Sequence, residues 1–114
     1  MCEVYLEKLQ QVRVRQKKFS IPESAKVADG ERLFDFMADS VEAFLKDCGL
    51  SKKEEHELGF TFSFPVRQTG IKSGELYHWS KEFNCSNTKG KDVVEMLNDA
   101  FKRNVCIIKH NKNI

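Results

Sequence analysis

From Glu31 onward the apolar residues recur at helical spacing. Leu33, Phe34, Met37, Ala38, Val41, Phe44, Leu45 and Cys48 form one stripe, and Asp35, Asp39, Glu42 and Lys46 lie off it. Asp29 is placed to cap the start of this predicted helix and Gly49 to end it. Earlier the period is two: Val4 and Leu6 alternate with Glu3, Tyr5 and Glu7, and Val12 and Val14 alternate with Arg13, Arg15 and Lys17. This predicts two strands in an antiparallel hairpin. Gln10 and Gln11 carry none of the Asn-Gly or Asp-Gly chemistry of tight hairpins, so they leave its register open. "SIPESAKVADG" reads as the exit loop.

Further along, residues 58–65 alternate Leu58, Phe60, Phe62 and Phe64 against Gly59, Thr61 and Ser63, a predicted strand with one apolar and one small face that Pro65 ends. A turn at Lys72, Ser73 and Gly74 leads to an extended "ELYHW", and "NCSNTKG" is loop. Asp92 and Glu95 form a box-like D-x-x-E start to a second helix, whose buried side is Val93, Val94, Leu97, Ala100 and Phe101 and which ends near Asn104. "SKKEEHE" is a solvated loop with His56 on its surface, and "VCIIKHNKNI" begins like a core strand and ends like a tail. The order strand, strand, helix, strand, hairpin-like excursion, helix, without internal repeat, argues for one α/β unit.

Composition narrows the chemistry. A chain of 114 residues suits one small domain, and 19 basic against 17 acidic residues give a net charge of +2, a mixed surface that favours neither nucleic acid nor an anionic membrane. The basic residues of "VRVRQKKF" are explained as the charged outer faces of strands. Cys2, Cys48, Cys85 and Cys106 lie far apart with no C-x-x-C pair, which reads as reduced thiols and predicts a cytoplasmic address. No apolar stretch approaches the ~20 residues needed to span a bilayer. His56, His78 and His110 lack ligand spacing, so no metal site is predicted. Gly90-Lys91 is followed by Asp92 and lacks the earlier glycine of a phosphate loop.

What remains is "TFSFPVRQTGIKSGELYHWSKEF", residues 61–83. Its polar residues Ser63, Ser80 and Lys81 stand at the C-terminal end of an apolar strand and just beyond the excursion that follows it, where open α/β sheets place ligands. By position alone, a ligand site and an ordinary polar loop are equally good accounts.

"LGFTFSFPVRQTGIKSGELYHWSKEFN" followed by "GKDVVEMLNDAFKR" closely resembles the hexokinase family, whose hallmark reads L-G-F-T-F-S-F-P, a Q, then G-x-L-x-x-W-[TS]-K and an F before a D-V-V helix. Upstream, "VRVRQKKFSIPESAKVADGERLFDFMADSVEAFL" is similar to the strand, I-P-E loop and first long helix of that family. The resemblance runs from about Cys2 to Arg103 and is nearest to fungal-type hexokinases. It implies an α/β, ribonuclease-H-like (actin/hexokinase-type) small lobe with an incomplete sheet and two main helices. It also implies an activity for the complete enzyme, transfer of phosphate from MgATP to the 6-hydroxyl of glucose or a related hexose. Position by position, Ser63 of the S-F-P and Ser80 and Lys81 of the W-S-K match residues that hydrogen-bond the sugar, and Phe64 and Pro65 wall the pocket. A hexose is a ring of hydroxyls that donate and accept; serine hydroxyls do both, and an ammonium adds three donors.

Two departures fall at this site. Ser80 stands where the family usually has Thr, and Glu82 replaces a common glycine, setting a carboxylate beside Lys81 that can compete with the sugar. Other family parts are expected to lie outside this sequence. The D-L-G-G-T-N phosphate loop would precede Met1, and the strand ending in N-D-T, whose aspartate is the general base, is replaced by the divergent 105–114 tail. The later sugar-site glutamates and the nucleotide lobe would lie outside it too. Asn98-Asp99 is no substitute, because it lies within the second helix. The chain is therefore expected to be part of a hexokinase N-terminal domain, carrying no catalytic residue, binding no cofactor tightly and inactive alone. The alternative is a non-catalytic hexose-binding or regulatory fragment, pairing with another hexokinase polypeptide, or an inactive truncated product.

Overall fold

The computed structural model describes residues 2–6, 12–50 and 58–103. The loop reading of 51–57 with His56, the Gln10-Gln11 turn and the 105–114 tail lie outside them. Strand β1 (Cys2–Leu6) pairs antiparallel with β2 (Val12–Gln16), in a register that sets Val4 opposite Val14 and Leu6 opposite Val12. The register that the turn residues leave open thus sets the two period-two patterns in phase.

A short helix, α1 (Glu23–Lys26), interrupts the expected exit loop. Pro22 stands at its N-cap with an extended backbone, φ −60° and ψ 142°, and Lys26 Nζ donates to Glu23 Oε1 at 2.9 Å one turn back. Helix α2 (Gly30–Asp47) follows, capped as expected by Asp29, whose Oδ1 accepts from the Glu31 amide at 3.0 Å. Its stripe of Leu33, Phe34, Ala38, Val41, Phe44 and Leu45 is buried, and Met37 is partly buried against the core. Gly49, with φ +72°, takes the left-handed position past its end.

Residues 58–64 are the main correction. Phe60, Phe62 and Phe64 are half-buried against the core and Gly59, Thr61 and Ser63 exposed, but the segment joins no ladder with another described residue. Alternation decides which side chains are buried. A strand also requires a neighbouring backbone, and the described chain sets none beside this segment. The strands form two separate two-stranded sheets, β1 with β2 and β3 (Val66–Gly70) with β4 (Ser73–Leu76). Ser73 and Gly74, read as turn residues, belong to β4, and the turn itself is Ile71 and Lys72.

Helix α3 (Val93–Arg103) begins as its sequence implies: Asp92 Oδ1 accepts from the amides of Val94 at 2.8 Å and Glu95 at 3.0 Å. Its buried Val93, Leu97, Ala100 and Phe101 pack with Leu33, Phe34, Ala38, Val41 and Leu45 of α2, and with Leu76, Trp79, Cys85 and Ala25, into one core. At the rim Arg103 reaches from the last turn of α3 to Asp35 of α2 at 2.8 Å.

Candidate functional site

The segment that carries Ser63 and the segment that carries Ser80 and Lys81 are joined by aromatic rings. Phe64 meets Trp79 edge to face with centroids 4.9 Å apart, and meets Phe83 in the same manner at 5.0 Å. Phe62 reaches Trp79 at 5.9 Å, and Trp79 stacks on Phe83 at 5.9 Å. Such pairs contribute ~0.5–1.5 kcal/mol each beyond the area they bury. Behind them, the amide of Tyr77 donates to the carbonyl of Pro65 at 2.9 Å and ties the two segments through the backbone.

Trp79 is buried, and its orientation is fixed by hydrogen bonds. Nε1 donates to Thr88 Oγ1 at 2.8 Å and to the Cys85 carbonyl at 3.2 Å, while the Thr88 hydroxyl donates to the same carbonyl at 2.8 Å. The loop between these residues is thus closed across its base. Within it the Phe83 amide donates to the Ser80 carbonyl at 3.1 Å, and the two residues inside that turn, Lys81 (φ 54°) and Glu82 (φ 70°), are both left-handed. A turn of this kind suits Asn and Gly; here it aims a lysine. Lys81 Nζ sits 5.7 Å from the centroid of Phe64, over the ring beside Ser63.

The loop is held from below by the α1 region. The Asn84 amide donates to the Lys26 carbonyl at 2.8 Å, and the Cys85 thiol, buried, points at the carbonyls of Lys26 and Ala25 at 3.3 and 3.4 Å. Burial, with the Asp29 charge second, pushes the Cys85 thiol pKa up, which keeps it protonated and able to donate. The Gly30 amide then donates to the Ser86 carbonyl at 2.9 Å, and Asn87 Nδ2 to Asp29 Oδ2 at 2.6 Å.

The structure therefore brings together Phe64, Trp79, Phe83 and Lys81. Ser63 and Lys81 are exposed, as is Pro65, and Ser80 is half-buried. Thr88 and Cys85 carry no local sequence signal as supports of this site, whereas α1 has one in "PESAK", a Pro followed by Glu and Lys at helical spacing.

A groove of about 880 Å³ between the start of α2 and α3 contains none of the candidate residues. Six carboxylates line it, among them Asp29, Glu75 and Asp99, against two cations, Lys91 and Arg103. Asp92 is engaged there by its cap bonds and by the Gly74 amide at 2.9 Å. No group of three or more His, Cys, Asp or Glu among the described residues could hold a metal ion.

Comparison with known proteins accords with this geometry. The sequence model described as Hexokinase matches residues 1–112. Hexokinase-3 of Homo sapiens is 42% identical over 92 residues, 81% of this chain and 10% of that protein. Hexokinase-10 of Oryza sativa subsp. japonica is 45% identical over 91 residues, 80% of this chain and 18% of that protein. Among solved structures, a hexokinase from Schistosoma mansoni complexed with glucose superposes with a TM-score of 0.88 at 30% identity, covering 95% of this chain and 24% of that one. The chain thus spans well under a third of these relatives. Its two long helices, α2 and α3, and its separate antiparallel sheets fit an incomplete actin/hexokinase-like small lobe.

Proposed function

This chain belongs to the hexokinase family, and from that premise we propose that it carries the hexose-contacting half of a hexokinase sugar site: Ser63 and Ser80 as hydroxyl partners, Lys81 as cationic donor, and Phe64 with Pro65 as the wall. The complete reaction, transfer of the γ-phosphoryl group of MgATP to the 6-hydroxyl of glucose or a related hexose, is proposed for the larger enzyme whose small lobe this chain resembles. A glucose-bound hexokinase among its structural neighbours supports glucose as the ligand to try first.

One observation carries the proposal: residues far apart in sequence, Phe64 and Lys81, meet with the ammonium over the ring at 5.7 Å. That contact sets the Lys81 ammonium at the rim of the aromatic cluster. A polyhydroxyl ring offers apolar C–H faces to aromatics and hydroxyls to Ser63, Ser80 and Lys81. Among the described residues, the groove does not suit the phosphates of MgATP, because its six carboxylates outnumber its two cations, Lys91 and Arg103. No step is therefore assigned to nucleotide here. A cytoplasmic address is also proposed, from the wide spacing of the four cysteines without a C-x-x-C pair, and cell fractionation tests it.

The test is a glucose titration of the purified chain followed by amide chemical shifts. The expected result is weak binding in the millimolar range, about 4 kcal/mol or less, with shifts at Ser63, Ser80 and Lys81, abolished by Lys81→Ala. Binding indifferent to Lys81, or shifts confined to the acidic groove, would refute the site.

A further inference from the structure

Trp79 is the one tryptophan of the chain, and it immediately precedes the two residues assigned to the sugar. We propose that Trp79, with its indole N–H held by the Thr88 hydroxyl, is a positioning residue that sets the Lys81 ammonium against Phe64; this rests on the hexose reading above.

Lys81 and Glu82 both occupy the left-handed region, which L-residues adopt at a cost and only where the surroundings over-determine it. The surroundings here are the two ends of the loop. At one end the Trp79 ring is clasped between Phe64 and Phe83, with centroid distances of 4.9 and 5.9 Å. At the other the Cys85 carbonyl accepts from both the indole N–H and the Thr88 hydroxyl. Thr88 is 1% exposed, and its hydroxyl accepts from Trp79 while donating to Cys85, so both ends of the loop are fixed by one oxygen that has no water to turn to.

Two functions of a tryptophan are therefore separable. Its ring packs, as any aromatic would. Its N–H fixes the plane of that ring, and the plane decides where the edge contact places Phe64 relative to Lys81. Thr88 does not touch the proposed sugar position; it acts through Trp79. Trp79→Phe keeps an aromatic and loses the N–H. Thr88→Val keeps shape and burial and loses the acceptor, whereas Thr88→Ser keeps the hydroxyl.

The experiment reads two quantities on each variant of the full chain. The first is the ring-current shift of the Lys81 ε-methylene protons without ligand, which reports the ammonium over Phe64. The second is the glucose dissociation constant from amide shifts, with the core resonances of Leu33 and Leu97 showing that each variant is folded. Expected is a loss of the Lys81 ring-current shift and severalfold weaker glucose binding in Thr88→Val and Trp79→Phe, with both restored in Thr88→Ser. Unchanged Lys81 shifts in the folded variants overturn the proposal, as does a changed shift with unchanged glucose affinity. If Trp79→Phe fails to fold, Thr88→Val decides alone. If the unsubstituted chain binds no glucose, the hexose reading fails, and the Lys81 shifts still decide whether Trp79 and Thr88 position the ammonium.

Discussion

Asn87 donates from Nδ2 to Asp29 Oδ2 at 2.6 Å, joining the loop below the candidate site to the residue that caps the 18-residue helix α2. The same carboxylate accepts from the Glu31 amide at 3.0 Å, and Ser86 Oγ approaches its Oδ2 at 3.4 Å. One side chain thus serves both as helix cap and as anchor for residues 86–87. These bonds favour its charged form, the one from Asn87 most, and hold its pKa below the ordinary aspartate value.

The sign of the pH dependence follows from that depression. The unfolded chain takes up the proton first as pH falls, so the stabilisation from Asp29 is fully present above its ordinary pKa of about 3.9 and disappears as pH drops through its lower folded value. The urea midpoint of the native chain is expected to exceed that of Asp29→Ala at pH 6, and the gap to narrow below pH ~4, where the unfolded-state aspartate begins to protonate. A gap that is constant across this range would mean that Asp29 acts only through shape.

Gly30→Ala is expected to destabilise the chain although alanine is the better helix former. A Cβ at Gly30 would overlap the Thr88 methyl and lie 3.2 Å from the Ser86 carbonyl oxygen. The overpacking cost of about 1–3 kcal/mol exceeds the helix-propensity gain, which is at most ~1 kcal/mol. Chemical denaturation measures the loss, and a smaller loss when Gly30→Ala is made together with Thr88→Ser, which removes the methyl, identifies the overlap as its cause.

What could be read from the sequence divides along the same physical line. The α2 stripe from Leu33 to Leu45, the Asp29 and Asp92 caps and the Val4 and Val14 alternation were legible, because each is a local pattern repeated at a fixed period. Strand β3 was not: Arg67, Gln68, Thr69 and Gly70 are all exposed, so no burial period marks them. Residues 58–64 show alternation without pairing, since the Phe face depends on the nearby core whereas a ladder depends on a second backbone. Ser63, Ser80 and Lys81 were singled out by their resemblance to a family motif, position alone leaving the matter even. The contacts that join Phe64 to Lys81 and Trp79 to Thr88 depend on the tertiary fold and leave no periodic trace.

Glu82→Gly is expected to stabilise the chain. A left-handed non-glycine residue costs ~1–2 kcal/mol, and Glu82 has φ 70°. Glycine removes that cost but loses up to ~1 kcal/mol to the greater freedom of the unfolded chain, leaving a net gain of roughly 0.5–1 kcal/mol. Glu82→Ala separates strain from charge. It removes the carboxylate beside Lys81 and keeps the unfavourable φ, so a matching gain in urea denaturation would point to charge as the cause.

The 114-residue polypeptide by itself is expected to transfer no phosphoryl group to glucose. Phosphoryl transfer rests on holding the nucleotide phosphates and neutralising their charge, with general-base help adding ~10²- to 10⁴-fold. Neither Asp92 nor Asp99, the two aspartates at and within helix α3, can supply that help. Both oxygens of Asp92 are occupied, Oδ1 by the Val94 and Glu95 amides and Oδ2 by the Gly74 amide. Asp99 lines the acidic groove with Arg103, a concavity to which Ser63, Ser80 and Lys81 do not contribute. A base there could not reach a hexose held over Phe64 without dismantling the α3 packing of Leu97 and Phe101, each 2% exposed. A coupled glucose-6-phosphate assay with MgATP, on protein freed of host hexokinase, should remain at background for the native chain and for Asp99→Asn alike. Turnover that depends on Asp99 would place the reacting sugar in the groove and remove it from the aromatic cluster.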